Sequence, residues 1–171
     1  MSAKIGIIMG SDSDLPVMKD AAAILDELNI PYELTICSAH RTPERLEKIA
    51  KTAEERGLKV LICAAGGAAH LAGVTAAMTA LPVIGVPMYS KSVGGMDALL
   101  ATVQMPPGIP VATVGIGAAK NAGLMAAKIL ATSEPEVMAA LKNYKQKLAD
   151  QVNAKAEKIE AMGYKAYLEQ M

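Results

Sequence analysis

Histidine is rare in this chain, and its two copies, His40 and His70, each stand shortly after an apolar run. Imidazole is the side chain that titrates near neutral pH, so it is suited to proton transfer. Arg41 follows His40 directly and adds a permanent positive charge that pairs with anions. The combination predicts an enzyme site for a small anionic substrate.

A third polar segment, Gly-Ser-Asp-Ser-Asp at residues 10–14, follows another apolar run. Its glycine permits close backbone approach, its hydroxyls donate to phosphate oxygens, and a following helix N-terminus favours an anion. Asp12 and Asp14 have the wrong charge for phosphate, so at least one should face ribose hydroxyls or solvent. The alternative is a loop in which Ser13 or Asp14 caps the next helix.

The two histidine segments also have structural alternatives. Residues 38–42 would be a surface loop if their hydroxyl groups served only to cap the next helix. Residues 66–70, Gly-Gly-Ala-Ala-His, have little side chain, so their backbone N–H groups can line a pocket. His70 by itself is as consistent with a structural role as with a functional one.

The apolar runs provide the framework that brings these loops together. Strands are predicted near 4–9, 32–37, 59–64, 82–86 and 110–114, and helices near 15–28, 42–56, 71–80, 95–103 and 118–131. This alternation predicts a three-layer α/β/α sandwich with a parallel sheet. Ligands bind such sheets at the carboxyl ends of the strands, where all three polar loops are expected.

The chain shows no linker, composition shift or internal repeat, so residues 1–171 are expected to form a single α/β domain with its core at about 4–132. The segment 133–171 is predicted to be helical, with Ser133 capping its start. From about residue 147 its apolar stripe is too thin to fold alone. It is expected to lie across a neighbouring subunit or back on its own domain.

Composition argues against several classes of partner. The 17 basic and 17 acidic side chains balance, and Phe and Trp are absent, so no nucleic-acid partner is expected. No apolar stretch reaches the roughly 20 uninterrupted residues of a membrane span. The first residues enter a strand without a signal sequence, so a cytoplasmic protein is expected.

Cofactor and metal sites are not expected either. Cys37 and Cys63 fall in predicted strands, which favours buried, reduced thiols over a nucleophile. Residues 115–120 are similar to a dinucleotide fingerprint, but Lys120 replaces its third glycine, which argues against NAD. The chain has no Walker A pattern, and two distant histidines without an acidic cluster make a poor metal site.

Five segments resemble, in order, the PurE family of purine biosynthesis; they are residues 10–14, 38–43, 65–71, 85–87 and 103–106. The resemblance covers about residues 4–132. It implies a flavodoxin-like fold with an extended C-terminal helix and a homo-octamer whose sites lie at subunit junctions. It also implies a ribonucleotide substrate, no cofactor, and a hand-off from the enzyme that makes this substrate.

Within the family, the resemblance favours one of two branches. One branch moves a carboxyl group within N5-carboxyaminoimidazole ribonucleotide to give 4-carboxy-5-aminoimidazole ribonucleotide. The other adds carbon dioxide directly to aminoimidazole ribonucleotide. His40-Arg41 and residues 66–71 are similar to the mutase branch, while residues 88–94 match the family less regularly. A direct carboxylase and a non-enzymatic nucleotide-binding module are the alternatives.

The family match also assigns roles. His40 and His70 are the expected catalytic residues, with His40 as acid and base and His70 orienting the carboxylate. The expected substrate-binding residues are Gly10, Ser11, Ser13, Asp14, Ser38, Ala39, Arg41, Gly66, Gly67, Ala68, Ala69 and Leu71. The hydroxyl groups of three serines and Arg41 would hold phosphate, Asp14 the ribose, and the 66–69 backbone the released carbon dioxide.

Overall fold

The computed structural model describes residues 2–171 as a five-stranded sheet with helices on both faces. The strands are β1 (Ile5–Met9), β2 (Tyr32–Ile36), β3 (Val60–Ala65), β4 (Val83–Pro87) and β5 (Ala112–Thr113). The helices are α1 (Leu15–Glu27), α2 (Pro43–Thr52), α3 (Leu71–Met78), α4 (Met96–Val103), α5 (Ala119–Ala131) and α6 (Pro135–Leu168). A short 3₁₀ helix, Asp12–Asp14, precedes α1.

The strands pair in the order β2-β1-β3-β4-β5, and every pairing is parallel. This is the flavodoxin-like order, in which the chain first moves outward from β1 and then returns to its other side. The predicted three-layer, flavodoxin-like sandwich is therefore confirmed. The return creates a switch point between β1 and β3, where the loops diverge and leave a crevice.

The central strands are apolar without alternation because both of their faces are buried. Along β1, Ile5, Ile7 and Met9 point into one core layer, together with α1 and α5. Ile8 points into the opposite layer, which contains residues of α2 and α3. Continuous apolar runs of this kind are what parallel sheets covered on both faces require.

The predicted boundaries of the elements are right to within one or two residues except at the end of α2, although β5 is much shorter than predicted. Strand β5 has two residues rather than the predicted five, because Pro110 has no N–H for the ladder and this strand forms the sheet edge. Helix α2 ends at Thr52, before the predicted residue 56. Residues 53–57 form turns instead, and Gly57 closes them with a φ of 90°.

Helix α6 covers most of the predicted helical segment 133–171 as one helix of 34 residues, interrupted at Gly163. Its beginning packs against α5 through the buried Val137, but its later apolar residues are exposed, and Val152 is 65% accessible. The predicted cap at Ser133 is wrong, because its hydroxyl donates to the Leu130 carbonyl instead. Among residues 2–171, none of the helices has the length and apolarity to span a bilayer.

Helices α1 and α5 approach closely at Gly123. A Cβ atom built there would lie 2.5 Å from Ile24 Cγ2 and 3.0 Å from the Ala21 carbonyl oxygen. Backbone cannot give way as a flexible side chain can, so the small residue sets the distance between the two helices. This contact covers one face of the central strands and so supports the site at their ends.

We expect Gly123→Ala to lower the free energy of unfolding by about 1 kcal/mol, since overpacking outweighs the gain in helix propensity. Gly73→Ala in α3 is the matched control, because the added Cβ would meet only the flexible end of Met105 at 3.0 Å. It should be neutral or stabilising. Urea denaturation at a fixed protein concentration measures both, and equal effects would contradict the packing argument.

Candidate active site

The loops after β1, β2 and β3 meet at the carboxyl edge of the sheet. The ladders continue one residue past the strands, since Cys37 N–H donates to the Met9 carbonyl (2.8 Å) and Gly10 N–H to the Ala64 carbonyl (2.9 Å). All three loops therefore leave the sheet at the same level. They enclose an open pocket of about 490 Å³.

Most of the residues predicted for the site line this pocket; they are Gly10, Ser11, Ser13, Asp14, Ser38, Ala39, His40, Arg41, Gly66, Ala69, His70 and Leu71. Gly67 and Ala68 are not among the lining residues. Ala68 is exposed, and Gly67 turns with a φ of 62° at the outer bend of its loop. The pocket geometry therefore gives no support to the prediction for these two residues.

Hydroxyl groups cluster at the start of the first loop. Ser13 Oγ donates to Ser11 Oγ (2.9 Å), and Ser11 Oγ donates to Asp12 Oδ1 (3.1 Å). The same Ser11 oxygen accepts the Ser13 N–H and so caps the 3₁₀ helix. Asp14 is the N-cap of α1 but makes no capping bond with its side chain. Capping by Ser13 or Asp14 therefore does not explain this loop, and the hydroxyls stand at an electropositive helix start.

Asp14 is the carboxylate of the pocket wall. Its residue is only 9% exposed, and burial raises the pKa of the carboxyl group above its usual value. A hydrogen bond from the Ser11 backbone lowers this pKa in part, and the charge of Asp12 raises it further. A desolvated carboxylate favours donors such as sugar hydroxyls and opposes a phosphate at the same point.

Arg41 crosses from the second loop to the first. Its Nη2 atom donates to the Gly10 carbonyl (3.2 Å), and its Nε atom donates to Ser38 Oγ (3.4 Å). The ion pairs found among residues 2–171 do not include Arg41. Its guanidinium charge is thus held in place by neutral oxygens and is available to an anion beside the serine hydroxyls.

The two imidazoles contact each other directly. His40 Nε2 and His70 Nδ1 are 2.8 Å apart, a hydrogen-bond distance. Their ring centroids are 5.0 Å apart and the rings are nearly perpendicular, at 82°. His40 lies in the loop after β2 and His70 at the start of α3, so the sheet order brings together residues 30 positions apart.

The glycine-rich loop has a defined backbone path. Ala69 has a φ of 46°, which is uncommon for a residue with a side chain, and it is only 4% exposed. Its N–H donates to the Gly66 carbonyl (3.2 Å) and closes a tight turn. The turn places backbone, rather than bulky side chains, beside His70 in the pocket wall.

Both thiols are buried, as expected. Cys63 lies in β3, and burial raises its pKa to about 12. Cys37 lies one residue past β2, not within it, and its Sγ contacts the oxygens of Thr42. Each thiol is 1% exposed, so neither is placed to act as a nucleophile.

The residues predicted for the site did not include three that line the pocket, Ala65, Met88 and Tyr89. Tyr89 is the most exposed of them at 68%, while Met88 is buried and donates its N–H to the Ala65 carbonyl. The loop after β4 must reach the same edge as the others, because β4 is parallel to β3. The predicted parallel sheet is therefore the signal in the sequence that could have identified Met88 and Tyr89.

Comparison with known proteins agrees with this geometry. The family model described as AIR carboxylase matches residues 4–151. The chain belongs to the AIR carboxylase family. The resemblance to the PurE family drawn from the five segments is thereby confirmed.

Relatives of this AIR carboxylase family member include full-length matches. The N5-carboxyaminoimidazole ribonucleotide mutase of Thermotoga maritima is 57% identical, over 98% of each chain. The phosphoribosylaminoimidazole carboxylase of Schizosaccharomyces pombe is 56% identical over 97% of this chain, which spans 30% of that protein. The crystal structure of Treponema denticola PurE superimposes with a TM-score of 0.82 at 29% identity, covering 95% of this chain and 99% of that one.

We expect the native protein to resist modification by a thiol reagent. Cys63 has too little thiolate at mildly alkaline pH, and both thiols are shielded by the core. Mass spectrometry should find neither cysteine modified in the folded protein and both modified in urea. Rapid modification of Cys37 in the folded protein would contradict its assignment as a structural residue.

Proposed function

We propose that this protein converts N5-carboxyaminoimidazole ribonucleotide to 4-carboxy-5-aminoimidazole ribonucleotide in purine biosynthesis, as a mutase that needs no cofactor. The observation that carries the proposal is one pocket with an anion-binding set and a pair of imidazoles. Relatives with the mutase name match nearly the whole chain at more than 50% identity.

The hydroxyl and guanidinium groups are proposed to bind the substrate phosphate. The neutral donors are the hydroxyl groups of Ser11, Ser13 and Ser38, and Arg41 supplies the positive charge. The N-terminus of α1 beside these groups also favours a bound anion. Asp14 is proposed to accept hydrogen bonds from the ribose hydroxyls. Held at that end, the nucleotide would extend its imidazole ring toward His40 and His70.

The reaction consumes no net proton, because His40 donates one proton and later accepts one. The bond between N5 and the carboxylate carbon breaks, carbon dioxide leaves, and N5 takes a proton from His40. Ring carbon 4 then attacks the carbon dioxide, and the proton on carbon 4 returns to His40. A single imidazole can serve both steps, because it can donate a proton and later accept one.

Carbon dioxide must remain beside the ring for the second step. The turn at residues 66–69 is proposed to hold it there through backbone N–H groups, with His70 orienting the carboxylate before and after migration. The tight turn at Ala69 supports this, because it places backbone in the pocket wall. Confinement makes recombination faster than escape by raising the local concentration of carbon dioxide.

Domain organisation, assembly and location are also part of the proposal. Residues 1–171 are proposed to act as one domain that assembles into a homo-octamer with sites at subunit junctions. The exposed apolar residues of α6 support an assembly role, because Leu148, Val152 and Ile159 are 43%, 65% and 39% accessible. We also propose a hand-off from the enzyme that makes the substrate, in the cytoplasm, where buried free thiols stay reduced.

Direct carboxylation is the second candidate, because a relative named as a carboxylase is also 56% identical, although this chain spans only part of it.

We expect purified protein to convert fresh N5-carboxyaminoimidazole ribonucleotide rapidly. The ultraviolet absorbance of the product measures this conversion. Efficient use of aminoimidazole ribonucleotide with modest bicarbonate would instead favour the carboxylase, and binding with no turnover of either compound would favour a binding module.

The His40→Asn variant should fold and bind nucleotide, but its turnover should fall by about 10²- to 10⁴-fold because the acid and base is lost.

Arg41→Ala should chiefly weaken substrate binding, raising KM by about 10- to 100-fold with a small change in kcat, because a charge-assisted contact is lost. Arg45→Ala is the matched control. Arg45 lies in α2 and donates to Thr35 Oγ1 (2.9 Å), outside the pocket lining. Steady-state kinetics separates the two variants. A loss of kcat at unchanged KM in the Arg41 variant would contradict its assignment to phosphate.

A further inference from the structure

The contact between His40 Nε2 and His70 Nδ1 constrains where protons sit. At 2.8 Å, one of these two nitrogens must carry a hydrogen and the other must present a lone pair. Two N–H groups would clash, and two lone pairs would repel. The pair therefore has one donor and one acceptor. Either choice leaves Nδ1 as the free nitrogen of His40, but in the neutral ring Nδ1 presents a lone pair if Nε2 donates and carries the hydrogen if Nε2 accepts.

The surroundings of His70 decide the direction. His70 is the N-cap of α3, and its side chain makes no capping hydrogen bond. The unpaired N–H groups of the first helical turn make this position electropositive. An electropositive position favours a lone pair at Nδ1 over an N–H or a second positive charge. Arg41 adds positive charge on the neighbouring loop, although its guanidinium is bonded to Gly10 and Ser38.

We propose that His70 is a positioning residue whose Nδ1 accepts the Nε2–H of His40, so that Nδ1 of His40 is the nitrogen that exchanges the proton with substrate. This inference rests on the proposed mutase function for its chemistry. It goes beyond that function by assigning the reacting atom and by giving His70 a role toward His40 in addition to the substrate carboxylate.

The proton balance supports this assignment. His40 starts as an imidazolium, and its Nδ1–H is transferred to N5 as the bond from N5 to the carboxylate carbon breaks. When carbon 4 has bonded to carbon dioxide, Nδ1 takes the proton from carbon 4. Throughout, Nε2–H remains bonded to His70. Transfer from Nε2 would instead leave two lone pairs facing each other at 2.8 Å.

The tautomer can be observed in the free protein. The chain has only two histidines, so ¹⁵N-histidine labelling gives two imidazoles, and a His70 variant leaves one. At a pH where both rings are neutral, we expect His40 to carry its hydrogen on Nε2. Finding the hydrogen of His40 on Nδ1 in the wild-type protein would overturn the proposal.

His70→Asn and His70→Leu form a matched pair of similar size and branching. The Asn carbonyl oxygen takes the place of Nδ1 as an acceptor, whereas Leu has none. We expect His70→Leu to lose roughly 100-fold in kcat with KM changed less than about threefold, since acid–base catalysis fails in the wrong tautomer. His70→Asn should recover most of kcat and keep the Nε2–H tautomer of His40.

The outcomes separate this inference from the proposed function. Equal kcat values for the Asn and Leu variants would overturn the positioning role even if the wild-type protein is an efficient mutase. If the wild-type protein converts no N5-carboxyaminoimidazole ribonucleotide, the proposed function fails, and the His40 tautomer still tests the geometry. Should His70→Leu not fold, the wild-type tautomer and the activity of His70→Asn remain decisive.

Discussion

The parallel pairing of β1 with both β2 and β3 is the interaction on which the site depends. Met9, the last residue of β1, is level with Ile36 on one side and Ala64 on the other. Hydrogen bonds from Cys37 to Met9 and from Gly10 to Ala64 continue that register into the loops. Ile7 and Ile8 point into opposite core layers, so a slip by one residue would exchange the side chains that fit each layer. Packing of the core therefore also fixes the level of the loops.

The three loops are then joined in pairs by the side chains that perform the proposed chemistry. Arg41 connects the second loop to the first through the Gly10 carbonyl, and His40 connects it to the third through His70. Each of these groups is therefore oriented before substrate arrives. Such preorganisation reduces the ordering cost of binding and holds reacting groups close to productive geometry.

Charged groups in the pocket wall have different signs and different surroundings. Arg41 and the serine hydroxyls line the pocket on the first two loops, while the contact between the imidazoles joins the second loop to His70. Asp14 is desolvated beside the serines and so opposes an anion at its own position. In the proposed function, this difference would direct an anionic phosphate to Arg41 and a neutral sugar to Asp14.

The amino-acid sequence by itself determined the central strands, the order of strands and helices, and the three polar loops, because apolar periodicity and turn residues are local properties. Tertiary structure decided the rest. It left Gly67 and Ala68 outside the residues that line the pocket, added Tyr89 to them, and paired His40 with His70. These outcomes depend on strand order and on side-chain direction at loops far apart in the chain, and only packing of the whole sheet sets both.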